Sequence, residues 1–130
     1  MNKGQLDDWA TKLGQAWSAQ DPGKAMDLVS KDSIEWYENP LQPPYKSWEE
    51  VRKLWEAVPF NQKDVTYSHQ VLICNDSVGI INWQVKLTKV PSGKKLNIDG
   101  IFQVLLDEAG CCTYFKQWEV ESERDFSENN

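Results

Sequence analysis

Leu6, Trp9, Leu13 and Trp17 recur at spacings of three and four, which lays one apolar stripe along a helix. Gly14 falls beside that stripe and weakens the helix without ending it. Asp21-Pro22-Gly23 then offers an N-cap followed by proline at the first helical position, which predicts a short helix through Ala25, Leu28 and Val29. Ser33 to Asn39 reads as a strand, ended by Pro40 and by an extended loop holding Pro43 and Pro44. Ser47-Trp48-Glu49-Glu50 has the form of a capping box, in which hydroxyl and carboxylate each satisfy a free amide at a helix start. Trp48, Val51, Trp55 and Val58 form the stripe of this third helix, and Pro59 is expected to close it.

Beyond Pro59 the period becomes two. Val65, Tyr67, His69, Val71 and Ile73 share one face of a strand, and Thr66, Ser68, Gln70, Leu72 and Cys74 supply the other. After a turn at Asn75-Asp76-Ser77, a second strand puts Ile81, Trp83, Val85 and Leu87 on one face. Pro91-Ser92-Gly93 makes another turn. A hairpin then joins Asn97–Leu106 to Cys111–Val120 through Asp107-Glu108-Ala109-Gly110, with Phe102, Val104 and Leu106 on one face of its first strand. Glu119 to Asn130 is expected to be an acidic, polar tail outside a core of residues 5 to 120. Helix, helix, strand, helix and then four strands in succession predict one α+β domain over residues 1–130, with the helices gathered on one face of a bent, largely antiparallel sheet.

Composition narrows the function. The net charge is −6 and no Lys/Arg cluster appears, which argues against a nucleic-acid partner. No apolar run approaches the roughly 20 residues that span a bilayer, so no membrane partner is expected either. The N-terminus lacks the apolar stretch of a signal peptide. Three cysteines, an odd number with Cys111 and Cys112 adjacent, argue against a disulfide framework and point to a reducing, cytoplasmic setting. One histidine in the chain argues against an ordinary zinc site, and no metal or cofactor is expected. Seven tryptophans stand on almost every predicted element. They either fill a small core or wall an aromatic cavity.

The element order, Glu35-Trp36-Tyr37-Glu38-Asn39-Pro40, Trp48 through Trp55, Asp99-Gly100-Ile101-Phe102, Asp107-Glu108-Ala109-Gly110 and Phe115-Lys116-Gln117-Trp118 together resemble the nuclear transport factor 2-like superfamily, in its SnoaL-like branch. The resemblance implies a cone-shaped, cystatin-like α+β fold with a curved mixed sheet against three N-terminal helices. It also implies a pocket between helices and sheet, and dimers formed through the outer sheet face. Members include ketosteroid isomerases, polyketide cyclases, dehydratases, epoxide hydrolases and non-catalytic binding modules, so fold does not decide function. The isomerase base would fall on Asn39, which cannot take a proton, and the oxyanion-hole acid near Phe102, which tells against steroid-type isomerisation.

His69 is the first candidate for proton transfer, because an imidazole exchanges protons near neutral pH. Asp99 is the second, since a carboxylate entering an apolar strand must be solvated, paired or functional. The resemblance implies that an acid on this strand can work with a histidine on a neighbouring one. Strand parity turns Asp99 to solvent if Phe102 faces inward, unless a bulge at Gly100 reverses it. On the first strand, one parity points Glu35 and Tyr37 inward and the other Trp36 and Glu38. Hydrophobic weight favours Trp36, and hence Glu38 as a third candidate. Trp17, Trp36, Tyr37, Trp55, Trp83, Phe102 and Trp118 are the expected ligand contacts. The function expected is a pocket for a small, largely apolar organic molecule, with cofactor-independent acid–base catalysis of the cyclase, isomerase or dehydratase type. The alternative is a non-catalytic ligand-binding or protein-interaction module, and a homodimer through the outer sheet face is the protein partner the fold suggests.

Overall fold

A computed structural model of the protein describes residues 1–123. Helix α1, Lys3–Ser18, starts at a reciprocal cap: Asn2 accepts from the Gln5 amide and Gln5 accepts from the Asn2 amide, each at 2.9 Å. Its stripe of Leu6, Trp9, Ala10 and Leu13 is buried. Gly14 lies in the same face for a steric reason: a Cβ there would sit 2.1 Å from the Tyr67 ring. Asp21 caps helix α2, Pro22–Met26, which stops short of the predicted Val29. Val29 instead bridges Cys112, so the sheet takes the residues that the sequence pattern offered to the helix. Strand β1 is only Glu35–Tyr37, shorter than the predicted segment.

Ser47 caps helix α3, Trp48–Asn61, by accepting from the Glu50 amide. The Glu50 carboxylate bonds the Ser47 hydroxyl at 3.1 Å, rather than reaching back to a main-chain amide. Pro59 was expected to end this helix, yet it lies inside it. Proline removes only the one N–H that would bond four residues back. The Gln62 amide still donates to the Val58 carbonyl and carries the helix past it.

Strands β2 (Gln62–Cys74), β3 (Gly79–Lys89), β4 (Lys95–Leu106) and β5 (Cys112–Glu123) follow. The sheet order is β1-β5-β4-β3-β2, antiparallel except for β1, which runs parallel to β5. Two expectations are corrected here. A register shift between Val71 and Ile73 turns Ile73 outward, where it is 55% exposed, and Cys74 packs on the core in its place. Residues 119–123 are not a tail: they extend β5 and pair with Leu96 through Gly100 of β4. The rest of the expected tail, residues 124–130, lies outside the described residues.

The helices cover one face of this sheet, and the core lies between. Ile81, Trp83, Val85 and Leu87 of β3 are all buried in it, as period two requires. Flat aromatic pairs organise its centre: Trp36 on Phe115 at 3.7 Å and Trp83 on Phe102 at 4.9 Å between ring centroids. Gly100 opposes Trp83 in the register, and a Cβ on it would fall 2.7 Å from the indole. The missing side chain therefore makes room for the tryptophan.

Candidate functional site

Register fixes which side chains meet beneath the helices. Trp36 pairs with Phe115, both buried, so their side of β1 and β5 is the inner one. Side chains alternate along a strand. Two residues beyond Trp36 comes Glu38, and two and four beyond Phe115 come Gln117 and Glu119. All of them line a cavity of about 190 Å³ between the sheet, α1 and α3. Trp17, Trp36, Trp55 and Phe102 give it aromatic walls, and Trp17 meets Trp55 edge-on at 88°.

Glu38 is held by two neutral donors. The Trp36 indole donates to its Oε2 at 2.7 Å, and the Gln117 amide donates to its Oε1 at 3.0 Å and to its carbonyl at 2.8 Å. Glu38 is itself an exposed residue at the rim of the cavity, and the protein packed around its carboxyl withholds part of its hydration. That desolvation raises its pKa above the ordinary 4.5, against the lowering effect of the Trp36 and Gln117 hydrogen bonds. The pKa of Glu119 is raised as well, first by desolvation and then by the charges of Glu121 and Glu38, while Lys89 opposes the shift. Two carboxyls of elevated proton affinity thus share one cavity.

The other sequence candidates lie elsewhere. His69 is on the inner side of β2 but outside this cavity, with its Nε2 2.8 Å from the Asp7 carboxylate of α1. Asp99 points from the opposite face of the sheet, because no bulge interrupts β3 and β4 at Gly100. There it accepts from the Asn82 amide at 2.8 Å and the Gln84 amide at 3.3 Å. The structure therefore does not bring His69 and Asp99 together. Of the expected ligand contacts, Trp17, Trp36, Trp55 and Phe102 line the cavity. Trp83 does not; it is 0% exposed in the core behind Phe102. Tyr37 and Trp118 belong to the outer face, where the Lys116 ammonium lies over both rings at 4.8 and 5.2 Å.

Sequence reasoning missed Gln117, Glu119, Gln62 and Lys89. The signal for the first two was present: with Phe115 inward, alternation carries Gln117 and Glu119 inward too. Reading residues from Glu119 onward as tail hid it. A larger hollow of about 510 Å³ opens on the outer face over Thr66, Ser68, Gln84 and Asp99. Its polar groups stand on strand faces open to solvent, whereas the smaller cavity is walled by aromatic side chains between sheet and helices, which favours the smaller one as a ligand site. Among the described residues, no group of His, Cys, Asp and Glu is placed to hold a metal ion. No helix among those residues is long and apolar enough to cross a membrane.

Among the described residues, three helices laid against a five-stranded mixed sheet give the α+β architecture of the nuclear transport factor 2-like superfamily. The chain belongs to the SnoaL-like domain family, whose model matches residues 10–110. Its fold is similar to that of a hexachlorocyclohexane dehydrochlorinase (LinA, type 2), with TM-score 0.78 and 11% identity over 95% of this chain and 89% of the other. It is also similar to the epoxide hydrolase/cyclase-like enzyme SalBIII of pyran ring formation in salinomycin, with TM-score 0.80 and 10% identity over 95% of this chain and 100% of that one. A nuclear transport factor 2-like protein from Burkholderia xenovorans gives TM-score 0.70 and 11% identity over 92% of both chains. No curated protein sequence matches the chain.

Proposed function

We propose that this protein catalyses proton transfer on a small, largely apolar organic molecule bound in the cavity, with Glu38 as the group that takes and returns the proton. One observation carries the reading: a carboxyl of raised proton affinity, aimed into an aromatic-walled cavity by Trp36 and Gln117. Poor hydration makes the carboxylate a stronger base than in water, and its proton is held late enough to be given back. The two donors grip one oxygen each, which fixes the plane of the carboxyl before substrate arrives. Glu119 supplies a second proton-binding group on the same wall. Structural relatives include a dehydrochlorinase and a cyclase-like enzyme, and both names imply reactions in which protons move.

The test is exchange of the α-hydrogens of cyclohexanone for deuterium, followed by proton NMR. Glu38→Gln keeps the shape and one acceptor but cannot take a proton, and it is expected to lower the catalysed rate by about 100-fold or more. Exchange at the wild-type rate by the variant would overturn the assignment.

A specific observation supports a protein partner as well, namely a second copy of this chain. The outer sheet face exposes Trp118 (40%) and Val120 (75%) beside Ile101. Its charges mix Lys63, Lys86, Lys95 and Lys116 with Asp99 and Glu35, so this face escapes the acidity of a chain that carries −6 as a whole. Two such faces can meet without the repulsion the rest of the surface would impose.

A further inference from the structure

The end of α1 and the start of β2 converge on one residue whose role the reading above leaves open. Gln62 is fixed at three points. Its amide N–H donates to the Val58 carbonyl, its carbonyl accepts from the side chain of Gln20, and its side-chain Oε1 accepts from the Trp17 indole at 2.8 Å. An indole N–H can only donate, so this bond decides which end of the Gln62 amide is oxygen and which is nitrogen. The nitrogen is left on the other end, with two N–H groups for which no described residue is an acceptor. Gln62 lines the cavity that holds Glu38.

The hold on Gln62 comes at a conformational cost. Gln20 follows the C-cap of α1 with φ at 53°, in the left-handed region where glycine is sterically preferred. Glycine there would relieve the backbone but would have no amide to reach Gln62. Trp17 and Gln20, three residues apart at one helix end, thus position a third residue more than forty places along the chain.

We propose that Gln62 is the specificity residue of this cavity: its oriented amide nitrogen binds the acceptor oxygen of an uncharged ligand about one ring in size. This rests on the cavity being the small-molecule site described above. Three features select the ligand class. The free end of Gln62 is donor-only, so the ligand must offer an acceptor to it. Glu38, Glu119 and Glu121 line the same cavity against the single cation of Lys89, which disfavours an anionic acceptor such as a carboxylate. The volume of about 190 Å³ compares with the roughly 150 Å³ that accommodates benzene in an engineered protein cavity, so one substituted ring fits and a fused four-ring skeleton does not.

The test uses four probes with the same ring and different head groups: cyclohexanone, cyclohexylammonium, cyclohexanecarboxylate and methylcyclohexane. Each is titrated into the ¹⁵N-labelled full chain, and dissociation constants are read from amide and indole NMR shifts. Cyclohexanone is expected to bind tightest and to move the Gln62 side-chain amide signals. Gln62→Glu keeps an oxygen for the Trp17 indole but replaces the donor, and it should weaken cyclohexanone about threefold to tenfold. Gln62→Leu should do the same while leaving methylcyclohexane binding unchanged, a head-group selectivity that a merely structural role would not produce. Binding of either charged probe as tightly as the ketone, or full ketone affinity in both variants, overturns the proposal. The Glu38 reading stands or falls separately. If Glu38→Gln exchanges cyclohexanone hydrogens like the wild type while Gln62→Leu loses ketone affinity, the proton-transfer role fails and the role of Gln62 holds. The reverse pattern removes Gln62 alone.

Discussion

With Trp36 lying flat on Phe115, the side chain two residues on must enter the same side of the sheet, and that side chain is Glu38. Its chemistry has a thermodynamic signature. A carboxyl whose pKa is raised on folding binds its proton more tightly in the folded than in the unfolded chain. The stability this provides is complete below the ordinary 4.5 and is lost as pH climbs through the raised value. Glu38→Gln, which does not titrate, removes this contribution. Its urea midpoint should therefore gain on the wild type steadily as pH rises from 4 towards 7, and a difference independent of pH would contradict the shift. Tyr67 presents the opposite case of a polar atom with no use for its burial. Its hydroxyl is buried without a partner among the described residues. Tyr67→Phe should leave the melting temperature unchanged or raise it, since no hydrogen bond is lost and a desolvated hydroxyl is removed. The inward direction of Glu38 was legible in the sequence because the apolar weight of Trp36 decided the parity of β1. The partner of His69 was not, because a histidine on the inner face of a strand can be claimed by a side chain of the helix packed over it, here Asp7 of α1.

At the scale of elements, the sequence was clearest where one period ran unbroken. The stripe of α1 and the alternation of β3 and β4 appear in the structure as read. It was least clear where a local irregularity changed the phase. The register shift in β2 reverses Ile73 and Cys74, and nothing in a run of Val, Leu, Ile and Cys marks the residue where it falls. Pro59 misled for another reason: a proline in the last turn removes one hydrogen bond and leaves the next in place. Polar residues at the end of β5 resembled a tail because that strand turns carboxyls, rather than aliphatic side chains, toward the cavity. The contact between α1 and β2 shows how closely elements can depend on one missing atom group. Gly14→Ala forces a methyl into the Tyr67 ring. Overpacking of this kind costs about 1–3 kcal/mol, to be measured by chemical denaturation, although alanine is the better helix former.

Across the whole molecule the two faces of the sheet divide the work. The inner face holds the core and the cavity, while the outer one sets a mixed-charge, partly apolar surface on an acidic protein. Sedimentation velocity is expected to find a dimer of the 15.0 kDa chain. Trp118→Asp adds a buried charge at the centre of that contact and should shift the population to monomer, whereas a wild-type monomer at micromolar concentration would rule the contact out. The parallel pairing of β1 with β5 carries a consequence of a different kind. Glu38 and the Gln117 that holds it are 79 positions apart, so this wall of the cavity cannot be arranged until nearly all of the described chain has been made and its last strand has docked. Until then Trp36 has no Phe115 to cover it. The cavity is thereby an indicator of complete folding: a chain stalled before β5 would expose an aromatic surface to quality control and would have no formed cavity to offer.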